Sequence, residues 1–199
     1  MTLTREDWFV AAIGSLRRGG IDGVRVDVLA RELGVSRGSF YWHFGNRQEL
    51  LEMILARWEE ETAWLVAGAS GGATPRERAL RYFEMANASP YPPDREIFAW
   101  ARRDGKVARR VEAIEAKRTE FFEGVLRDAG ATGERSRELA EVLYLATLGW
   151  LERRWRSAAG GYAFESFSRD VIDLVLREAT GPAATPLGIP AREDADRGA

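Results

Sequence analysis

Apolar side chains recur at steps of three and four residues from Phe9 to Leu176, and nowhere do they alternate over the length of a strand. That period admits helices and little else, so the expected fold is all-α with about nine helices. Thr4 and Asp7 form a capping pair ahead of Phe9, Ala12, Ile13 and Leu16, a first helix that Gly19-Gly20 is expected to end. Val26, Leu29, Ala30 and Leu33 mark a second helix of about two turns, stopped by Gly34 in the manner of a left-handed cap. Ser36 is the expected N-cap of a third short helix, Arg37 to about His43. Asn46 with Glu49 then opens a longer one through Leu50, Leu51, Ile54, Leu55 and Trp58 to about Val66.

The small, Gly-rich stretch 67–73 reads as a joint. Thr74-Pro75 restarts a helix in cap and N1-proline order, and a Pro-rich loop at 89–93 ends it. Further helices are expected at Asp94 to about Arg103, Lys106 to about Ala129, 134–158 and 164–179, the last two separated by Gly160-Gly161. The domains are placed at 1–48, 49–180 and a flexible tail, 181–199, whose Pro, Gly and charge content suits no packed core.

Composition removes most chemistry. There is no cysteine and one histidine, His43, so thiolate sites, disulfides and a histidine-rich metal centre are excluded, and no metal or cofactor is expected. Gly68 to Gly72 matches G-x-S-x-G, but the nucleophile elbow needs a preceding strand and a downstream histidine, so an enzyme is not expected. No apolar run is long enough to span a bilayer and the start lacks a signal-peptide pattern; the expected location is cytoplasmic, with no membrane partner. The net charge of −2 gives no basic footprint, and residues 1–50 carry seven Arg against six acids. Any contact with nucleic acid must come from placed side chains.

Two short helices joined at Gly34-Val35, preceded by a third, have the spacing of a helix-turn-helix. A helix of two turns enters the major groove with its first residues at base edges while its predecessor crosses the backbone. Leu29, Ala30, Leu33, Val35 and Phe40 pack the pair, leaving Arg37, Ser39, Tyr41, Trp42 and His43 to face outward.

The run Val35-Ser36-Arg37-Gly38-Ser39-Phe40-Tyr41-Trp42-His43-Phe44-Gly45-Asn46-Arg47 and on to Leu51 resembles the signature of the TetR family of transcriptional regulators, over about residues 4–55. The resemblance implies an N-terminal three-helix DNA-binding domain followed by a helical bundle. It also implies a DNA-binding set of Arg25, Ser36, Arg37, Gly38, Ser39, Tyr41, Trp42, His43 and Arg47. In that set Arg37 meets bases, Ser39, Tyr41 and His43 contact phosphates or flank the groove, and Arg47 contacts phosphate. The residue types suit this, since Arg reads guanine bidentately and hydroxyls donate to phosphate. Trp42 either meets the groove or packs on the fourth helix, and Arg47 is either a phosphate ligand or a solvated charge. The family commonly opens the second helix with Ser or Thr, whereas this chain has Arg25-Val26-Asp27. Arg25 can replace the hydroxyl as a phosphate ligand, but Asp27 is unfavourable there.

The resemblance further implies a sequence-specific regulator, a repressor released from a palindromic operator by an unidentified small-molecule effector. Aromatic side chains in the later helices are either core or the lining of an effector cavity. The candidates for the lining are Phe83, Phe98, Trp100, Phe121, Phe122, Tyr144 and Trp150, with Arg103 as a polar anchor or a plain ion-pair member. Phe164, Phe167, Val171 and Leu174 step like a heptad, and with Leu139, Val142, Leu143, Ala146 and Gly149 they suit either a homodimeric four-helix interface or an intrachain bundle.

Overall fold

The computed structural model describes residues 3–89, 94–156 and 163–181. Among these there are nine helices and no strand: α1 Arg5–Gly23, α2 Val26–Glu32, α3 Arg37–Tyr41, α4 Arg47–Ser70, α5 Pro75–Ala88, α6 Asp94–Ala101, α7 Gly105–Asp128, α8 Gly133–Arg156 and α9 Phe164–Thr180. Side chains of 154–156 lie outside the described set, as do the tail beyond 181, the Pro-rich segment 90–93 and Gly160-Gly161.

The caps anchor the framework. Thr4 and Asp7 form a reciprocal capping box on α1, Asn46 accepts from the Glu49 amide at 3.0 Å, and Thr74 accepts from the Glu77 amide at 3.1 Å ahead of Pro75. Asp104 caps α7 by accepting from the Lys106 amide at 2.9 Å.

Three local expectations are corrected. First, α1 does not stop at Gly19-Gly20. The chain kinks at Gly20, where φ is 62° as glycine permits, and takes one more helical turn to Gly23, held where the Ser15 hydroxyl donates to the Gly23 carbonyl at 2.7 Å. Second, Ser36 has the extended backbone of an N-cap, but its hydroxyl makes no capping hydrogen bond. Third, the Gly-rich 67–73 stretch is no loose joint, because α4 runs through Ser70 and its glycines serve close approach. A Cβ on Gly68 would lie 2.3 Å from the Met85 Cε of α5, and one on Gly72 would lie 2.7 Å from the Arg78 backbone nitrogen. The Ser70 hydroxyl donates to the Val66 carbonyl at 2.7 Å at the end of a helix, which is not a nucleophile elbow.

Two apolar cores result. The first holds Trp8, Phe9, Leu16, Leu29, Phe40, Phe44, Leu50 and Ile54, and it is completed by Trp58 and by Ile97, Trp100, Val107, Val111 and Ile114 of α6 and α7. The second gathers Leu65, Tyr82, Phe83, Phe122, Leu139, Leu143, Ile172 and Val175 from α4, α5 and α7–α9. The expected boundary at residue 48 therefore does not coincide with a boundary between cores.

Candidate nucleic-acid interface and sensor domain

α2 and α3 are set by the turn between them. Gly34 adopts φ 69°, and the Val35 amide returns to the Ala30 carbonyl at 2.9 Å, which stops α2 and redirects the chain. Leu29 and Phe40 are fully buried on the inner side. Phe40 meets Trp8 edge-on with centroids 5.2 Å apart and stacks on Phe44 at 5.2 Å, so α3 is keyed into the head by one ring. Its opposite side is open: Ser36, Arg37 and Gly38 are exposed, Ser39 and His43 are half-buried, and Tyr41 and Trp42 stand 56% and 88% exposed. Of the two expectations for Trp42, packing on α4 is thus excluded.

The seat behind α3 is polar and fixed. Arg5 donates to the His43 carbonyl, pairs with Glu49 at 2.9 Å and lies 4.2 Å from the Phe44 ring centroid. The Gly45 amide donates to Glu49 at 2.7 Å, and this bond together with Arg5 holds the Glu49 carboxyl below the usual range.

Two basic residues differ from their expected roles. Arg47 points inward, its Nε donating to the Val24 carbonyl and its NH2 to the Ile21 carbonyl at 2.6 Å, so its donors tie α4 to the α1–α2 turn. Arg25 pairs side-on with Asp27 at 3.2 and 3.1 Å. Burial opposes ionisation of Asp27, but Arg25 outweighs it and keeps the carboxyl below its ordinary value, so the pair is zwitterionic.

In the rest of the chain, three of the ring candidates for a ligand site, Phe83, Phe121 and Phe122, pack on one another. Tyr82, Phe121 and Phe122 form one cluster at 4.8–5.3 Å, with Phe83 6.0 Å from Phe122. Trp100 is buried in the first core, while Trp150 stacks on Phe167 at 4.8 Å and donates to Asn87 at 3.2 Å. Arg103 is exposed and paired with Asp22, which makes it a link between the ends of α6 and α1 rather than an anchor in a cavity. Phe98 does line a cavity of about 350 Å³ between α6 and α8, with Arg95, Leu145, Leu148 and Glu152. Tyr144 borders an internal void of about 10 Å³, room for about one water, and its hydroxyl donates to Glu115 at 3.1 Å.

A buried polar network was missed by the sequence reading. Arg118 and Asp94 pair at 3.1 Å with side chains 5% exposed each, the Trp58 indole donates to the same Asp94 oxygen at 2.6 Å, and Arg118 Nε donates to Thr62 at 3.2 Å. Burial pushes the Arg118 pKa down, but Asp94 more than offsets it and holds the guanidinium charged. Burial pushes the neighbouring Tyr82 hydroxyl up to about 12. The signal was present in α7, where Arg118 sits on the stripe Val111, Ile114, Phe122, Val125. A further groove of about 430 Å³ lies between α1 and α4, walled by Phe9, Ile13, Trp58 and Trp64.

An exposed helix held by a tight turn inside a three-helix head defines the class of the fold: a helix-turn-helix. Residues 9–54 match the profile of bacterial regulatory proteins of the tetR family. It is 38% identical over 53 residues to the HTH-type transcriptional regulator SrpR of Pseudomonas putida, covering 27% of this chain and 25% of that one. It is 34% identical over 84 residues to the tetracycline repressor protein class D of Escherichia coli, covering 40% and 38%. The HTH-type transcriptional repressor BepR of Brucella suis aligns over 92% of this chain and 95% of its own length at 24% identity. The chain thus spans two fifths or less of the first curated relatives it matches. Among solved structures, a TetR-like transcriptional regulator from Rhodococcus sp. RHA1 superposes with a TM-score of 0.67 at 18% identity, covering 89% of this chain and 97% of that one.

Proposed function

We propose that the chain is a sequence-specific DNA-binding transcriptional repressor that acts as a homodimer on a palindromic operator and is released by a small-molecule effector. The observation that carries it is the outer side of α3, where Arg37, Gly38, Tyr41 and Trp42 are exposed while Phe40 anchors the helix from within. Arg37 is the base reader, and Ser36, Ser39, Tyr41, Trp42 and His43 bear on the backbone and groove walls. Arg25, neutralising Asp27, flanks them. Arg47 acts from behind as a clasp on the turn.

The names of two relatives, a tetracycline repressor and the repressor BepR, favour repression over activation. Dimerisation is supported by Val142, Leu145 and Leu174, apolar residues 47%, 54% and 53% exposed on α8 and α9, whereas Leu139, Leu143 and Ile172 are spent on the intrachain core. Two such heads related by a two-fold axis suit a palindrome. Release requires that the effector bind the DNA-incompetent arrangement more tightly than the competent one. A regulator of transcription works where the DNA is, and no described helix is long and apolar enough to cross a membrane.

The test is fluorescence anisotropy on operator and random duplexes over a salt series. Arg37→Ala weakens operator binding by about 1–3 kcal/mol and erases the preference over random DNA. Arg47→Ala lowers the thermal stability of the head and leaves the salt slope unchanged, because its donors go to carbonyls and release no counterions. Equal losses on both duplexes for Arg37→Ala remove it from base reading.

A further inference from the structure

The α1–α4 groove has an unusual lining. One wall is apolar, made by Phe9, Ile13, Trp58 and Trp64, and Trp64 is 57% exposed although it is the largest side-chain type. Its rim carries three carboxylates, Glu6, Glu60 and Glu61, against the single guanidinium of Arg57. Arg57 is already engaged, at 2.9 Å from Glu6 and 3.9 Å from Glu60, which leaves the rim with excess negative charge. The same wall already holds one delocalised cation on a ring, since the Arg57 guanidinium lies 5.6 Å from the Phe9 centroid. Glu61 is half-buried and accepts from the Ser89 hydroxyl, which leaves its second oxygen for a ligand. At about 430 Å³ the space lies in the size range of small-molecule sites.

We infer that this groove binds an amphipathic organic cation, its hydrophobic body lying on Trp64 and its diffuse positive charge beside Glu60 and Glu61. An anion of the same shape meets the carboxylate rim and is rejected. A bare metal ion has no site here, since no group of three ligating side chains capable of holding one occurs among the described residues. The α6–α8 cavity suits such a ligand less well, because its Asp94 is committed to Arg118 and Trp58. The groove's position gives the site a regulatory meaning that rests on the proposed function: α1 belongs to the reading head, α4 runs through both cores, and an occupant between them fixes their relative setting.

Tetraphenylphosphonium and tetraphenylborate, nearly identical in shape and opposite in charge, are titrated into the full chain by calorimetry, with tryptophan fluorescence as a second readout. The phosphonium should bind saturably, one per chain, and more tightly than the borate. Trp64→Ala should weaken it about tenfold and Trp64→Phe, which keeps a ring, should restore most of the loss. The double variant Glu60→Gln, Glu61→Gln should erase the preference for the cation. Thermal melts show whether each variant is folded, and because Trp64 is exposed its replacement is borne without collapse of the core. Absence of saturable phosphonium binding, equal binding of the borate, or indifference to both sets of variants overturns the inference. Duplex binding is measured on the same samples: a chain that takes the phosphonium but no DNA keeps the site and loses the repressor reading, and a chain that binds DNA but not the phosphonium does the reverse.

Discussion

Replacing Asp94 by Ala removes the partner of a guanidinium that has almost no contact with water. The Arg118 and Asp94 side chains are each 5% exposed and 3.1 Å apart, and the same Asp94 oxygen takes the Trp58 indole proton at 2.6 Å. Removing one member of a buried pair costs about 3–5 kcal/mol, because the survivor keeps its desolvation penalty without its counter-charge. The orphaned indole adds up to about 1–3 kcal/mol. Both terms draw on one oxygen, and relaxation of Trp58 recovers part of the second, so the expected loss is about 4 kcal/mol. In a chain of this size that is a fall in Tm of about 8–16 °C. Urea denaturation followed by circular dichroism reads it directly, with Arg118→Met alone and the double variant completing a cycle. The double variant should be more stable than Asp94→Ala alone, since no charge is then left stranded. A loss below about 1 kcal/mol for Asp94→Ala, or a double variant whose loss is the plain sum of the singles, refutes the reasoning.

Leu145→Asp on the outer face of α8 should convert a dimer to a monomer in sedimentation velocity without lowering the helical signal, since Leu145 is 54% exposed in the single chain. Gly72→Ala should cost about 1–3 kcal/mol in urea melts, because its Cβ meets the Arg78 backbone nitrogen at 2.7 Å and backbone must give way. Glu61 has its pKa raised above 4.5, first by burial and then by the charge of Asp94, against the opposing Ser89 bond. The folded state therefore holds the proton more tightly than the unfolded one, and this group's contribution to stability is greatest below the unfolded value and falls as pH rises through the folded one. Glu61→Gln should remove that fall, so that the stability of the variant relative to wild type rises between acidic and neutral pH; a flat difference over that range rules the effect out.

The helical order was legible because caps and periodicity are local: Thr4, Asn46 and Thr74 each announced a helix that the structure begins at the next residue. The outward face of α3 was legible too, as Phe40 is the one large side chain of that helix that the first core needs. What stayed hidden depends on partners far along the chain. Arg118 stands out on the stripe of α7, but nothing local says that Asp94, the first residue of α6, is its partner. Arg47 is positioned by phase to face either solvent or the turn, and only the carbonyls of Ile21 and Val24, which point its way where α1 ends, decide for the turn. Phe83, Phe121 and Phe122 suited either a cavity or a core; Phe121 and Phe122 closed on Tyr82, and Phe83 on Phe122, because neighbouring rings fill space better than a void does.

Ile97, Trp100, Val107, Val111 and Ile114 complete the packing around Trp8, Phe40 and Trp58, so the reading module is not a detachable unit. Cutting the polypeptide after its signature would uncover the underside of α1 and α4 along with those five contacts. Anyone grafting this helix-turn-helix onto another helical bundle has to transplant α6 and the first half of α7 with it. Heat or denaturant should likewise melt the two halves together rather than one after the other.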